Sequence, residues 1–517
     1  MTAPGLWRSL WHLGTVLALS LAVGALAALW VLRLDRPQRF DDPVAAFKYG
    51  STGGDRSFGI PYVIWQVLPA AFPEFMPDGG TGWEAFGFIT DPADAALLDG
   101  HPRPVGTSLR NYQGIDRIFL NCAACHTGRL RLPGEEADRI IPGMPSNTVD
   151  LQAFQTFLTR AAASHRFTPD TILAAIEAKG IRLNPVTRAI LRYVGIGLIR
   201  DRLNEVGERL DFGAHQPAFG PGRFDTFSSA KALFNWPVKH IPASQRIGVV
   251  DFPSIFLQGR REGMQLHWDG NNTRLAERDR SASFGTGATP ALLDRDYLAG
   301  VEAWLATLEP PALPGVDPLL AAQGKPYYDA YCRDCHGPDG RAFGPGMGRL
   351  GTVIPISEIA TDRARLDNYT FDLSVNQSQL YALTTGERFR HFRKTDGYAA
   401  APLDGLWLRA PYLHNGAVPT LWDLLQPPDR RPATFWRGAT AYDPRHVGFA
   451  TAPPPGQPAL CLMTRGDAWP GCDGRAPDNN GTCLSDHCPG NGNAGHDYGT
   501  GLPDDAKWQL IEYLKTF

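Results

Sequence analysis

A chain of 517 residues, 43% hydrophobic and 20% charged, is long enough for two or three domains that each bury a core. Its formal net charge of -3, with lysines and arginines scattered along the chain, supplies no basic field, so nucleic acid is excluded as an expected partner. The 55 Gly and 44 Pro predict many turns and long irregular loops in place of long uninterrupted elements.

The first predicted element is a helix over "LGTVLALSLAVGALAALWVL", Leu13 to Leu32, a run without a charge that is long enough to cross a hydrocarbon core. Ala25, Leu26 and Ala27 form a small-x-small pattern of the kind cleaved in secretory signals, but the apolar run continues through Leu29, Trp30, Val31 and Leu32. Residues 1–40 are therefore read as an uncleaved membrane anchor, with a cleaved signal as the alternative. Arg33, Arg36 and Arg39 outnumber Arg8 across the span, which by charge alone would place the body in the cytoplasm. The cysteines argue for the opposite side.

After the polar juncture "RPQRFDDP" comes "NCAACHTGRL", with Cys122, Cys125 and His126 in the order C-x-x-C-H, and "YCRDCHGPDG" repeats that order with Cys332, Cys335 and His336. This is the attachment pattern of c-type haem: two thiols reach the two vinyl groups on one porphyrin edge, and the adjacent imidazole binds the iron. A disulfide, a redox C-x-x-C or half of a zinc site leaves the histidine unexplained in both copies. Two covalently bound c-type haems are expected, ligated by His126 and His336. Between the pentads, "DLQAFQTFLTRAAAS" and "PVTRAILRYVGIGLIRDRLNEV" have the three-and-four spacing of helices. The proline-rich "LEPPALPGVDP", residues 308–318, reads as the linker between a domain over 41–310 and a second over 311–517.

The second domain has the order of a small cytochrome c: a helix carrying Gly324, Tyr327 and Tyr331 into the pentad, a long loop region, and a final helix "LPDDAKWQLIEYLKTF". In that last helix Asp504 and Asp505 suit the positive end of the dipole, and Trp508, Leu510, Ile511 and Leu514 form an apolar face meant to cross the helix of Gly324. Within the loop, residues 455–495 hold Cys461, Cys472, Cys483 and Cys488, which suit two disulfides of undetermined pairing, with a zinc site as the rival. Asp473, Asp478, Asn479 and Asn480 offer oxygen ligands for calcium, though without EF-hand spacing, and a solvated loop is the plainer reading. The fold class expected is mainly α with high loop content: two cytochrome c-like haem domains after an N-terminal transmembrane helix.

With both pentads, the stretches "FGPGRFDTF", "GMQLHWDGNN", "LRAPYLHNGAVPTLWDLL" and "GHDYGTGLPDDAKWQLIEYLKTF" resemble the bacterial di-haem cytochrome c peroxidase superfamily, closest to its branch of di-haem rubber oxygenases. The resemblance spans most of the chain after the anchor and is weakest over 40–110 and 155–215. It implies a reactive haem in the N-terminal domain and an electron-transfer haem in the C-terminal one, with attachment on the periplasmic side of the bacterial inner membrane. It also implies a sixth ligand for the second haem between "PYLHNG" and the last helix. His496 matches that position best, His414 is second, and His446, His487 and Met463 remain. His414 otherwise reads as a hydrogen-bonding residue near a propionate. Arg223 and Arg409 are candidates for pairing haem propionates, because a guanidinium meets a carboxylate two-pronged.

At the first haem the resemblance puts Trp268 between the haems or in the distal pocket, with His267 beside it as a candidate acid/base. Phe284 is a possible wall of the same pocket, and Met144 reads as packing. The function implied is a haem-binding oxidoreductase, with peroxidase-like reduction of hydrogen peroxide ranked first. A dioxygen-dependent oxygenase of the rubber-oxygenase type and a non-enzymatic periplasmic electron carrier are the alternatives. The partners implied are a small redox donor protein or a quinol-linked electron source, and the inner membrane itself.

Overall fold

The computed structural model describes residues 3–210, 216, 218–233, 241–242, 245–452, 461–463 and 490–517. Its first helix runs Ala3–Leu32, and the stretch Trp11–Leu32, of mean hydropathy 2.3, stands exposed along most of its described length, with Val31 at its end against Gly114. By length and composition this helix can cross a membrane.

The chain leaves it directly into the edge strand Asp35–Pro37 of a four-stranded antiparallel sheet, followed in spatial order by Thr107–Tyr112, Ile115–Leu120 and Ile60–Pro61. The central hairpin turns at Gln113 and Gly114, both at positive φ (55° and 76°), the backbone that a two-residue hairpin requires. The helical spacing read between the pentads corresponds to real helices: Leu151–Ala163, capped by Asp150 on the Ala153 amide at 2.8 Å, and a long helix beginning at Pro185 after the Asn184 cap. Phe154, Phe157 and Leu158 join Trp65, Trp83 and Phe86 in a first core, where Trp65 and Trp83 stack at 4.0 Å.

The expectation of a mainly helical chain is corrected to a mixture of helix and sheet. Besides the four-stranded sheet, the described residues contain five two-stranded antiparallel ribbons, because a chain so rich in Gly and Pro satisfies its loop backbone in short local pairings. The segment between Thr307 and Pro318 carries no helix or strand, yet the second core extends across it. Leu130, Ile141, Met144 and Phe256 from before the linker pack in one cluster with Trp407, Tyr412, Trp436 and Leu510 from after it.

The helices Pro318–Tyr331 and Asp504–Leu514 cross at Gly324. A β-carbon there would lie 1.9 Å from the Gln509 carbonyl oxygen and 2.9 Å from the Tyr513 β-carbon. The Gln509 backbone on one side and the root of the Tyr513 side chain on the other leave nowhere for it to go. Gly324→Ala is expected to cost at least about 1–3 kcal/mol, read as a drop in thermal midpoint of the purified protein. An unchanged midpoint would mean that the crossing is loose.

The four-cysteine loop, with Asp473, Asp478, Asn479, Asn480 and His487, lies outside the described residues except for Cys461–Met463, whose backbone pairs antiparallel with Thr434–Trp436.

Candidate haem sites

Each pentad lies at the wall of a cavity. Asn121 opens the first: its side-chain oxygen accepts from the Ala123 amide at 3.0 Å, and its amide donates to the Gly50 carbonyl at 2.8 Å, tying the short helix Cys122–Ala124 to the sheet side of the domain. Cys122 and His126 line one cavity, while Cys125 packs against the edge of the first core. The second pentad caps the helix Pro318–Tyr331, and Cys332, Cys335 and His336 all line a second cavity.

The two histidines are held alike. His126 donates its Nδ1–H to the Pro253 carbonyl at 2.9 Å, and His336 donates its Nδ1–H to the Ala401 carbonyl at 2.9 Å. A carbonyl only accepts, so each hydrogen bond fixes the tautomer and leaves Nε2 as a free lone pair for a metal. Burial pushes the thiols of Cys122, Cys125 and Cys332 up to about 12, the reverse of what a redox pair or a thiolate zinc site needs. Among the described residues no group of three or more His, Cys, Asp and Glu side chains converges to hold a metal ion.

In the second cavity the ring of His496 faces that of His336 at 6.4 Å between centroids, the one imidazole pair at such a separation among the described residues. Two metal–nitrogen bonds of about 2 Å plus the distance from each nitrogen to its ring centre amount to roughly 6–6.5 Å, so the gap fits one metal ion between the rings. His496 has φ of 54°, its amide donates to the Ile359 carbonyl at 2.8 Å, and its buried Nδ1 has no partner. A non-glycine residue in that backbone costs of order 1–3 kcal/mol and persists where surrounding structure demands it.

His414 lines the same cavity but is turned to another task. It stacks on Tyr398 at 3.9 Å, and Tyr398 donates its hydroxyl hydrogen to the Asp362 carbonyl at 2.6 Å, so His414 Nε2–H donates to the Tyr398 oxygen at 2.9 Å. His446 lies elsewhere, with its Nδ1 2.6 Å from Asp443. The side chain of Met463 and all of His487 lie outside the described residues.

Trp268, Ala399, Ala401 and Arg409 line both cavities and form the wall between them. The Trp268 indole N–H donates to the Asp251 carbonyl at 2.8 Å, and its own carbonyl accepts from Ala399 at 2.8 Å. Asp251 is buried and salt-bridged to Arg437 at 2.5 Å, and its amide donates to the His414 carbonyl at 2.9 Å. The wall is thus braced from both sides of the linker. Arg409 donates to the Pro402 and Asp404 carbonyls and keeps its Nε unpartnered.

Arg223 corrects an expectation, for it lines neither cavity. It is fully buried, donating from Nε to the Phe219 carbonyl at 2.7 Å and from Nη1 to Asn491 Oδ1 at 2.8 Å, and so ties two loops together. The guanidinium that lines the first cavity without hydrogen bonds from Nε and Nη2 is that of Arg261, which the sequence did not single out. An unpaired buried cation beside a pentad fits an anionic haem propionate. Phe284 packs with Phe389 and Leu298 in a separate cluster and Met144 is fully buried in the second core; neither is a wall residue of the first cavity.

His267 does line the first cavity, at φ of 65°. Its Nδ1 lies 2.6 Å from Asn271 Oδ1, an acceptor, so Nδ1 carries the hydrogen and Nε2 is left as a base. Burial lowers its pKa to about 4, which keeps the ring neutral. Glu302, also missed in the sequence, lines the same cavity, its carboxyl raised to about 7 by burial and by the charge of Asp279. Asn271 lies within the stretch "GMQLHWDGNN" without a feature that marks it, Glu302 lies in no motif, and only the folded chain pairs the first with His267 and brings the second to the cavity.

Residues 397–437, which supply Tyr398, Arg409 and His414, match the family described as RoxA-like, cytochrome c-like. The chain is similar to the uncharacterized protein y4iM of Sinorhizobium fredii, 33% identical over 230 residues that cover 40% of this chain and 50% of that protein, so it spans half of that relative's length. It is also similar to the uncharacterized protein y4iJ of the same organism, 33% identical over 575 aligned residues that cover 90% of this chain and 89% of that protein. A cytochrome c-like domain implies covalently held c-type haem, in agreement with the pentad histidines and the facing imidazoles. With that likeness running nearly end to end, the chain belongs to the family of y4iJ, as a c-type cytochrome with a RoxA-like domain.

Proposed function

We propose that the protein is a di-haem oxidoreductase that receives electrons at the second cavity and reduces hydrogen peroxide at the first. Each half, 41–310 and 311–517, contributes one haem, held by Cys122, Cys125 and His126 and by Cys332, Cys335, His336 and His496. Bound haem would supply redox-active iron at both places, with His126 as the ligand at the first and His336 and His496 as the ligands at the second. Trp268, in the wall common to both, is the relay between them.

The observation that carries the peroxide reading is the His267–Asn271 pair in the first cavity. Peroxide reduction takes two electrons and two protons and gives two waters, so a proton must move from one oxygen to the other while the O–O bond breaks. Neutral His267 accepts a proton at Nε2 from one peroxide oxygen and returns it to the other, which leaves as water. Asn271 holds the ring in that tautomer, and Glu302 exchanges further protons with solvent near neutral pH. Arg261 and Arg409 orient the propionates.

The RoxA-like match favours a second reading, in which dioxygen cleaves a carbon–carbon double bond of an apolar substrate against Phe252, Leu266, Leu298 and Val301 of the same cavity. The body is placed on the periplasmic side of the inner membrane and held there by residues 13–32, release after cleavage being the alternative. An optical titration with carbon monoxide and with peroxide, at each oxidation state, tests these readings. One ligand-binding haem and fast peroxide consumption by the reduced protein are expected. Dioxygen uptake without peroxide consumption selects the oxygenase, and two unreactive haems leave only an electron carrier.

A further inference from the structure

The segments Pro185–Ile190, the π turn Leu191–Gly195 and Ile196–Arg209 run on as one long helix. One side of it packs on the first core through Leu191 and Ile196, with Ile199 and Leu203 behind them. On the other side Val186, Ile190, Tyr193, Val194 and Leu198 recur at helical spacing and are 69%, 47%, 81%, 61% and 52% exposed. Scattered surface apolar residues are ordinary; a continuous stripe on one helix is not.

The position of this helix says what covers it. Arg202 donates to the Ser57 carbonyl at 2.6 Å, and the neighbouring Arg56 pairs with Asp35 at 3.3 Å while its guanidinium lies over Tyr112. Asp35 stands three residues after the last residue of the N-terminal apolar helix, Leu32. The long helix is therefore fastened to the corner of the body from which that helix departs. Residues 181–200 contain Arg182, Arg188, Arg192 and Arg200 and neither Asp nor Glu, although the last three also pair with surface carboxylates nearby. An apolar stripe with a tyrosine at its centre and arginines at its sides has the composition of a helix lying at a lipid interface.

We infer that this stripe lies on the outer surface of the bilayer that the N-terminal helix enters, so that the body is held at two places and its orientation to the membrane is fixed. The inference rests on the anchor reading above. The photoreactive residue p-benzoylphenylalanine, placed at Tyr193 or, as a control, at the 76% exposed Leu319, tests it in the full chain reconstituted into phosphatidylethanolamine–phosphatidylglycerol vesicles. Illumination is expected to give lipid adducts about tenfold more abundant from position 193 than from 319. Adding Val186→Glu and Val194→Glu, both at exposed positions, should abolish the excess while the protein still floats with the vesicles. Floating protein without a lipid adduct at 193, or with a cross-link there to a second copy of the chain, overturns the inference and leaves the anchor intact. Protein that does not float overturns the anchor reading and this one with it.

Discussion

Replacing His267 by alanine is expected to lower kcat/KM for peroxide roughly 10²- to 10⁴-fold, the usual worth of a positioned acid/base group, with both haems still attached. Only a group that is unprotonated before the reaction can take the first proton. Burial lowers the His267 pKa to about 4, so the ring is neutral above that pH and the acid limb of the profile should fall near it. Asn271 acts by holding Nδ1–H at 2.6 Å, and Asn271→Leu should lose less than His267→Ala while altering the pH profile. A general loss of packing would instead reduce haem content and thermal stability together. Turnover unchanged in His267→Ala, with both haem spectra intact, would sink the acid/base role.

Replacing His496 by alanine should convert the second haem into one that binds carbon monoxide, raising the stoichiometry in the reduced protein from one to two per chain. The prediction rests on the 6.4 Å between the His336 and His496 rings and on the unpartnered Nδ1 of a residue held in left-handed backbone. His414→Phe is the contrast. Its imidazole is spent on the Tyr398 hydroxyl, so its removal should leave the stoichiometry at one and cost only that hydrogen bond, because the brace from Asp251 uses the His414 backbone carbonyl. If His414→Phe opened the haem and His496→Ala did not, the two residues would exchange roles.

The two pentads were legible in the sequence because a covalent link to one porphyrin fixes thiol spacing and the place of the histidine. His496 is named by the resemblance alone, as the histidine just ahead of the last helix. Arg223 and Arg261 show where such reading ends. Both are arginines close to a glycine in sequence, and only the fold sends one into a knot with Phe219 and Asn491 and the other toward the first cavity. Asn271 sits in a quoted stretch with nothing to mark it as the partner of His267, and Glu302 lies in no motif. The helical period of 185–209 was plain, but a period does not say that the apolar stripe would face outward while a second one, through Leu191 and Ile196, faced the core. The short ribbons were hidden for a related reason: pairs such as Arg223–Phe224 with Val250–Asp251 are too brief to show alternation.

The core that runs across the proline-rich linker bears on how such a molecule is made. Trp268 comes from before the linker and Ala399, Ala401 and Arg409 from after it, so neither cavity has its full wall within one half of the chain. A ribosome delivers Cys122 and His126 long before Ala399, Ala401 and Arg409, so the first cavity can close only after much of the second half has been made. Cutting the chain at the linker would therefore yield two unfinished vessels, each missing the part of its wall that the other half supplies.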